Sequence, residues 1–219
     1  MKQLSLLFCI ICIAALTGCN MLGNKNKVRG SGTAKTETRA LAPFTAVEVR
    51  CFGTVNVTAQ GQRSVEISSD DNIVPLITTE VKGNTLYISS TTDYEPKSKM
   101  QINVVTPELE KFVFAGAGEV TLAKIKNNRL EVAVSGAGRL TASGETKEAD
   151  LTLSGAGSVD AKDLLADKTR ANSTGVGMME VYAREQLDAN TSGVGSISYY
   201  GNPKSVNKHV GGIGTIDSK

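Results

Sequence analysis

The feature that most constrains this chain is a short segment that recurs six times at a nearly fixed interval. The copies are Ala115-Gly-Ala-Gly-Glu-Val-Thr-Leu122, Ser135-Gly-Ala-Gly-Arg-Leu-Thr-Ala142 and Ser154-Gly-Ala-Gly-Ser-Val-Asp-Ala161. Three looser copies follow: Thr174-Gly-Val-Gly-Met-Met-Glu-Val181, Ser192-Gly-Val-Gly-Ser-Ile-Ser-Tyr199 and Gly211-Gly-Ile-Gly-Thr-Ile-Asp-Ser218. Their first glycines, Gly116, Gly136, Gly155, Gly175, Gly193 and Gly212, are 20, 19, 20, 18 and 19 residues apart. A period near 20 without helical patterning belongs to a solenoid of stacked β coils, because one such coil cannot bury its apolar face alone.

The residues within each copy alternate as strands do. After each glycine pair Val120 and Leu122, Leu140 and Ala142, Val159 and Ala161, Met179 and Val181, and Ile197 and Tyr199 are apolar. Thr121, Thr141, Asp160, Glu180 and Ser198 stand between them. Period-2 alternation sends one set inward and the other to solvent. Leu130, Val132 and Val134, and then Leu151 and Leu153, repeat the pattern before the glycines. The apolar residue between the paired glycines (Ala117, Ala137, Ala156, Val176, Val194, Ile213) reads as an inward corner residue, with glycines allowing the backbone to bend. Stacked six deep at the usual strand spacing, the coils form a rod roughly 25–30 Å long. Its expected hand is right, by the usual crossover preference.

Residues 39–107 are β but less regular. Phe44 to Val49 alternates, and Phe52-Gly53-Thr-Val55-Asn-Val57 reads as a degenerate first coil with Cys51 in the first glycine's place. Val65 to Ile67 is a short strand. Asp70 to Val74 reads as a solvated helical turn ended by Pro75. Ile77–Val81 and Leu86–Ile88 flank Lys82-Gly83-Asn84 as a hairpin. Ile102 to Val104 leads into the repeat. This part is placed to cap or flank the solenoid.

The N-terminus carries an address. Lys2 precedes an apolar run, Leu4 to Ala15, of secretory length and too short to span a bilayer. It ends in Leu16-Thr17-Gly18-Cys19, which resembles a bacterial lipobox. The division is then 1–18 signal peptide, 19–38 lipidated Cys19 and flexible tether, and 39–219 a single β domain. Loss of Lys2 with the leader leaves 23 basic and 22 acidic residues, net +1. That balance provides no basic field for nucleic acid. The membrane is met through acyl chains on Cys19. Cys9 and Cys12 leave with the leader, so Cys51 is the one remaining thiol and no intrachain disulfide forms. It reads as a buried structural cysteine.

The repeats, Leu41-Ala-Pro-Phe-Thr-Ala-Val-Glu-Val49, Gly53-Thr-Val-Asn-Val57 and Glu80-Val-Lys-Gly-Asn-Thr-Leu-Tyr-Ile88 together resemble the "putative auto-transporter adhesin, head GIN domain" family over roughly residues 39–219. The resemblance implies a parallel β-helix and a Bacteroidetes-type lipoprotein. It brings no binding residues.

The residues do not assemble a known chemistry. The Gly-x-Gly segments lack a third glycine, open no helix and contain no Gly-Lys-Ser/Thr, so they are not phosphate loops. Acidic residues recur at twice the calcium β-roll period. One histidine, His209, reads as an outward surface residue beside Lys208. Asp160 and Glu180 share an outward position on successive coils, which invites a glycosidase reading, yet no aromatic platform accompanies them in the sequence. Asn172 and Asn190 share another outward position, as a hydrogen-bonded amide ladder or a binding stripe. Tyr200 reads as an outward tyrosine suited to a binding face.

The reading is therefore a non-catalytic, lipid-anchored envelope protein of the outer membrane, with no cofactor or metal and an adhesive, surface-recognition or scaffolding role. Its candidate binding surface is Asn172, Asn190 and Tyr200, and its candidate partner is an extracellular glycan or protein. The alternatives are a polysaccharide-acting β-helix enzyme and a lipid- or lipoprotein-handling module. The latter needs an apolar cavity that so periodic a core does not offer.

Overall fold

The computed structural model describes residues 27–219. The expected signal peptide and Cys19 lie outside the described residues. About 70% of the structure is strand and 2% helix. Val28–Arg29 (β1), Ala34–Arg39 (β2), Ala46–Val49 (β3), Phe52–Thr58 (β4) and Ser64–Asp70 (β5) begin the chain. Ile77–Lys82 (β6), Thr85–Ser90 (β7), Tyr94–Glu95 (β8), Gln101–Val105 (β9) and Lys111–Phe114 (β10) lead to the repeats. Ala117–Val134 (β11), Ala137–Leu153 (β12) and Ala156–Ser173 (β13) each run almost a full coil. Val176–Ala183 (β14), Gln186–Thr191 (β15), Val194–Gly201 (β16), Ser205–Val210 (β17) and Ile213–Ser218 (β18) complete the stack.

Two parallel ladders result. One runs β9, β4, the first parts of β11, β12 and β13, then β14, β16 and β18. The other runs β7, β3, β10, the last parts of β11, β12 and β13, then β15 and β17. The corner between them is made by irregular backbone: Lys124 has φ +59°, and the register shifts between Leu122 and Ile125. The solenoid has about five turns. The sixth glycine pair, Gly212 and Gly214, opens β18.

The alternation holds. Val120, Leu122, Leu140, Ala142, Val159, Ala161, Met179, Val181 and Ile197 are buried, as are Leu130, Val132, Val134, Leu151 and Leu153. The residues between the paired glycines are not inward corners. Val176 is 57% exposed, Val194 47% and Ile213 76%, and Phe52 in the same column is 51% exposed. The parity of the strand decides this. With Val120 and Leu122 inward, Gly118 is also inward and Ala117 must face out.

The glycines answer two separate demands. A Cβ on Gly136 would lie 1.9 Å from the carbonyl oxygen of Gly116, one coil below. One on Gly138 would lie 1.9 Å from that of Gly118, and Gly138 also has φ +154°. The first column is glycine because coils approach closely there. The second is glycine for that reason and for its backbone angle. Cys51, at the foot of the first column, carries a side chain: its buried thiol meets Tyr94, and burial pushes it up to about 11.

The less regular part closes one end. The β5 strand pairs antiparallel with β9 and β2, and β6 pairs antiparallel with β7 in the expected hairpin. The short helix is a 3₁₀ turn, Val74–Leu76, with Pro75 inside its start rather than beyond its end. Proline's fixed φ and missing N–H suit a first turn.

Part of the stretch expected as a flexible tether, 19–38, is paired strand. Its Val28–Arg29 stretch pairs with Tyr94–Glu95, and Ala34–Arg39 pairs with β5. The reason is Asp70, which is fully buried and not a solvated turn residue. Its carboxylate accepts the N–H groups of Gly32 at 2.7 Å, Lys97 at 2.8 Å and Ser98, with the Ser98 hydroxyl at 2.9 Å. Asn72 accepts the Ser31 N–H and donates to the Arg29 carbonyl.

Candidate functional site

The strand after each glycine pair carries outward residues in register from coil to coil. Asp160 stands opposite Glu180, which stands opposite Ser198. Two residues on, Tyr182 stands opposite Tyr200. Lys162 reaches across this face: its ammonium is 2.6 Å from Asp160 Oδ2 and 3.6 Å from Glu180 Oε2. The Tyr200 hydroxyl donates to Glu180 Oε1 at 2.8 Å. The hydrogen bond to Asp160 raises the Lys162 ammonium above its ordinary value, and that to Glu180 does the same for the Tyr200 phenol. Asp160 Oδ1 is buried with no hydrogen-bond partner among the described residues.

The sequence places Tyr182 and Tyr200 eighteen residues apart, but the register sets them in one column beside the two carboxylates, with Tyr200 bonded to Glu180. A glycosidase pair needs two carboxyl groups in contrasting environments, one to give a proton and one to attack or activate water. Here a single ammonium binds both.

Asn172 and Asn190 lie on the other ladder, within β13 and β15. The Asn190 amide donates to Asn172 Oδ1 at 3.2 Å and to Asp188 Oδ1 at 3.4 Å. They form the expected amide ladder. Beside it a shallow depression of about 160 Å³ is lined by Arg129, Glu148, Asp150, Lys168, Arg170 and Asp188. Charges of both signs alternate there, with Arg170 3.9 Å from Asp188. Of the three residues predicted as a binding surface, the fold joins two and puts Tyr200 with Glu180 instead. His209 is exposed on β17, opposite Asn190. Among the described residues, no three His, Cys, Asp or Glu side chains gather as a metal-binding group.

Sequence reasoning missed Lys162, because it lies beyond the repeated octet. It also missed a cleft of about 1180 Å³ beneath the first coil, between β4 and residues 93–100. The departure of Cys51 and Phe52 from the glycine pattern was the one signal of it.

A family model described as "Putative auto-transporter adhesin, head GIN domain" matches residues 43–203, well over half the chain. The chain belongs to this head GIN domain family. Solved structures agree. A putative adhesin from Bacteroides fragilis is 28% identical, with a TM-score of 0.71, covering 88% of this chain and all of that one. A putative lipid binding protein from Parabacteroides distasonis is 22% identical, with a TM-score of 0.55, and a putative adhesin from Parabacteroides merdae is 18% identical, with a TM-score of 0.52. Each covers 88% of this chain and 99% of its own, and at these identities they share the fold alone. No curated protein matches the chain significantly. The family and its adhesin relatives are described by adhesion, not by an enzymatic activity. Membership points to the cell envelope or surface.

Proposed function

We propose that this head GIN domain is a non-catalytic recognition module of the bacterial envelope, held by lipid on Cys19 in the outer membrane and presenting its coil faces to an extracellular glycan or protein. The observation that carries the reading is the face formed by Asp160, Lys162, Glu180, Tyr182 and Tyr200. Its polar groups are fixed to a rigid ladder and to one another, so they are pre-organised, and little side-chain entropy is lost when a partner docks. Tyrosine offers apolar area with a polar tip, as a sugar ring or a protein surface requires. The amide ladder of Asn172 and Asn190 provides a second polar stripe.

The test has two parts. Protease shaving of intact cells, with mass spectrometry of the Cys19 peptide, reads facing and lipidation together. Release of the domain from intact cells, with an acylated Cys19, supports the reading. Survival until the outer membrane is permeabilised ends the adhesion proposal. A glycan and matrix-protein binding screen then compares the unaltered protein with Tyr200→Ala and Glu180→Ala, which should lose at least about tenfold in affinity if this face is the contact.

A further inference from the structure

The cleft beneath the first coil is a second site, unlike the ladder faces. At about 1180 Å³ it exceeds the roughly 300–1,000 Å³ of ordinary small-molecule pockets. It opens against β4, where Phe52 presents a ring that is half exposed. Met100 forms part of the floor, packed so closely under Gly53 that a Cβ there would lie 2.7 Å from its Cγ.

Around Cys51 and Phe52 the floor's polar groups are taken up within the protein. The Tyr94 hydroxyl donates to the Phe52 carbonyl, the Cys51 thiol meets Tyr94, and the Thr54 N–H donates to the Met100 carbonyl at 3.0 Å. An occupant gains little by placing polar atoms against Phe52 and Met100, so an apolar part suits that surface. The rim is different. Lys27, Arg50, Lys97 and Lys99 line it, together with Asp93, Glu95 and Glu119. Lys27 pairs with Glu95 and Arg50 with Glu48. Lys97 and Lys99 make no ion pair with a described residue. Their loop is held in place, because the Lys97 and Ser98 N–H groups are bound by the buried Asp70 carboxylate. Two ammonium groups without an ion pair to a described residue thus rise from a backbone held at the rim of the cleft.

We infer that this cleft binds a long-chain acyl amphiphile with an anionic head, the chain lying along Phe52 and Met100 and the head meeting Lys97 and Lys99. The position suits such a ligand. Lys27, in the cleft wall, is eight residues from Cys19, and an extended chain of that length reaches about 26–29 Å. A lipid on Cys19 would therefore hold the cleft close to a bilayer surface. That reach rests on the proposed anchor, but the binding itself does not.

The test uses the full chain carrying Cys19→Ser, so that it bears no acyl group of its own. Displacement of a fluorescent fatty acid by oleate, and separately by oleyl alcohol, is followed at low and high salt. Oleate should displace the probe saturably, and the neutral alcohol should compete at least about fivefold less well at low salt. Phe52→Glu should abolish binding, and Lys97→Glu with Lys99→Glu should weaken it about tenfold while Tm stays within a degree or two. Phe52 and both lysines point to solvent or to the cleft rim, so these variants leave the core intact. Tyr200→Ala should change nothing, which separates this site from the adhesive face. The inference is overturned if no saturable binding occurs, if binding survives Phe52→Glu, or if the alcohol competes equally and the lysine variants bind normally. It is also overturned if only Met21→Asp with Leu22→Asp permits binding, for then the cleft belongs to the chain's own N-terminal segment.

Discussion

At the scale of single residues, the chain depends on a few positions where one atom decides the outcome. Gly138→Ala would drive a Cβ into the Gly118 carbonyl and strain φ +154° together. At Gly83, with φ +60° in the β6–β7 turn, an added Cβ would meet nothing within 4 Å. Chemical denaturation should therefore show a loss of roughly 3 kcal/mol or more for Gly138→Ala and about 1 kcal/mol for Gly83→Ala. Asp70 makes the second residue-scale prediction. Burial pushes its carboxyl up, but the bonds from Ser98, Lys97 and Gly32 outweigh burial and hold it below the usual aspartate value. A lowered folded-state value means the stabilisation is complete above the unfolded value near 4 and is lost as pH falls through the folded one. Thermal melts between pH 7 and pH 2 should show a decline below about pH 4 that Asp70→Asn reduces, while Asp70→Asn itself melts lower than the unaltered protein at pH 7. In the sequence alone Asp70 reads as a solvated turn residue. Its burial depends on Gly32 and Ser98, 38 and 28 residues away, and no local pattern reports such partners.

At the scale of elements, strand parity separates two kinds of apolar residue that composition treats alike. Val159 faces the core and Val176 faces solvent, although the two lie in neighbouring coils. Val159→Ser should cost roughly 2–3 kcal/mol by lost burial and an enclosed hydroxyl, whereas Val176→Ser should cost less than about 0.5 kcal/mol. Denaturant midpoints of the pair check this. The repeat, its period and most inward positions were legible because each coil states the pattern again. The column between the glycines reads as inward because its residues are apolar, but strand parity, which type alone does not report, turns it outward. The candidate face shows the same limit. Asp160, Glu180 and Tyr200 could be singled out as types, but their meeting through Lys162 depends on the register between β13, β14 and β16.

At the scale of the whole molecule, the two ends differ. The first coil is covered by β5, β2 and the β6–β7 hairpin. Among the described residues, the last coil is more open. Val206 and Val210, whose counterparts Leu187 and Thr191 are buried one coil below, are 39% and 47% exposed. Lys208 bends over this end, its ammonium 4.6 Å from the Tyr199 ring centre and donating to the Ile216 carbonyl at 3.1 Å. In a stack where each coil contacts only its neighbours, a coil supported on one side opens first. Hydrogen exchange should therefore be fastest within β17 and β18 and slowest in the central parts of β11, β12 and β13. Uniform protection across all coils would contradict this.

The glycine columns have a consequence for how such a molecule can change length. Each coil presents a row of glycine carbonyls upward and a row of bare glycine Cα atoms downward, so its top fits the bottom of any copy of itself. A duplicated unit of 19 or 20 residues brings both halves of the joint with it. Copy number can then vary without renegotiating the core, and the reach of the molecule becomes a quantity that inheritance can count.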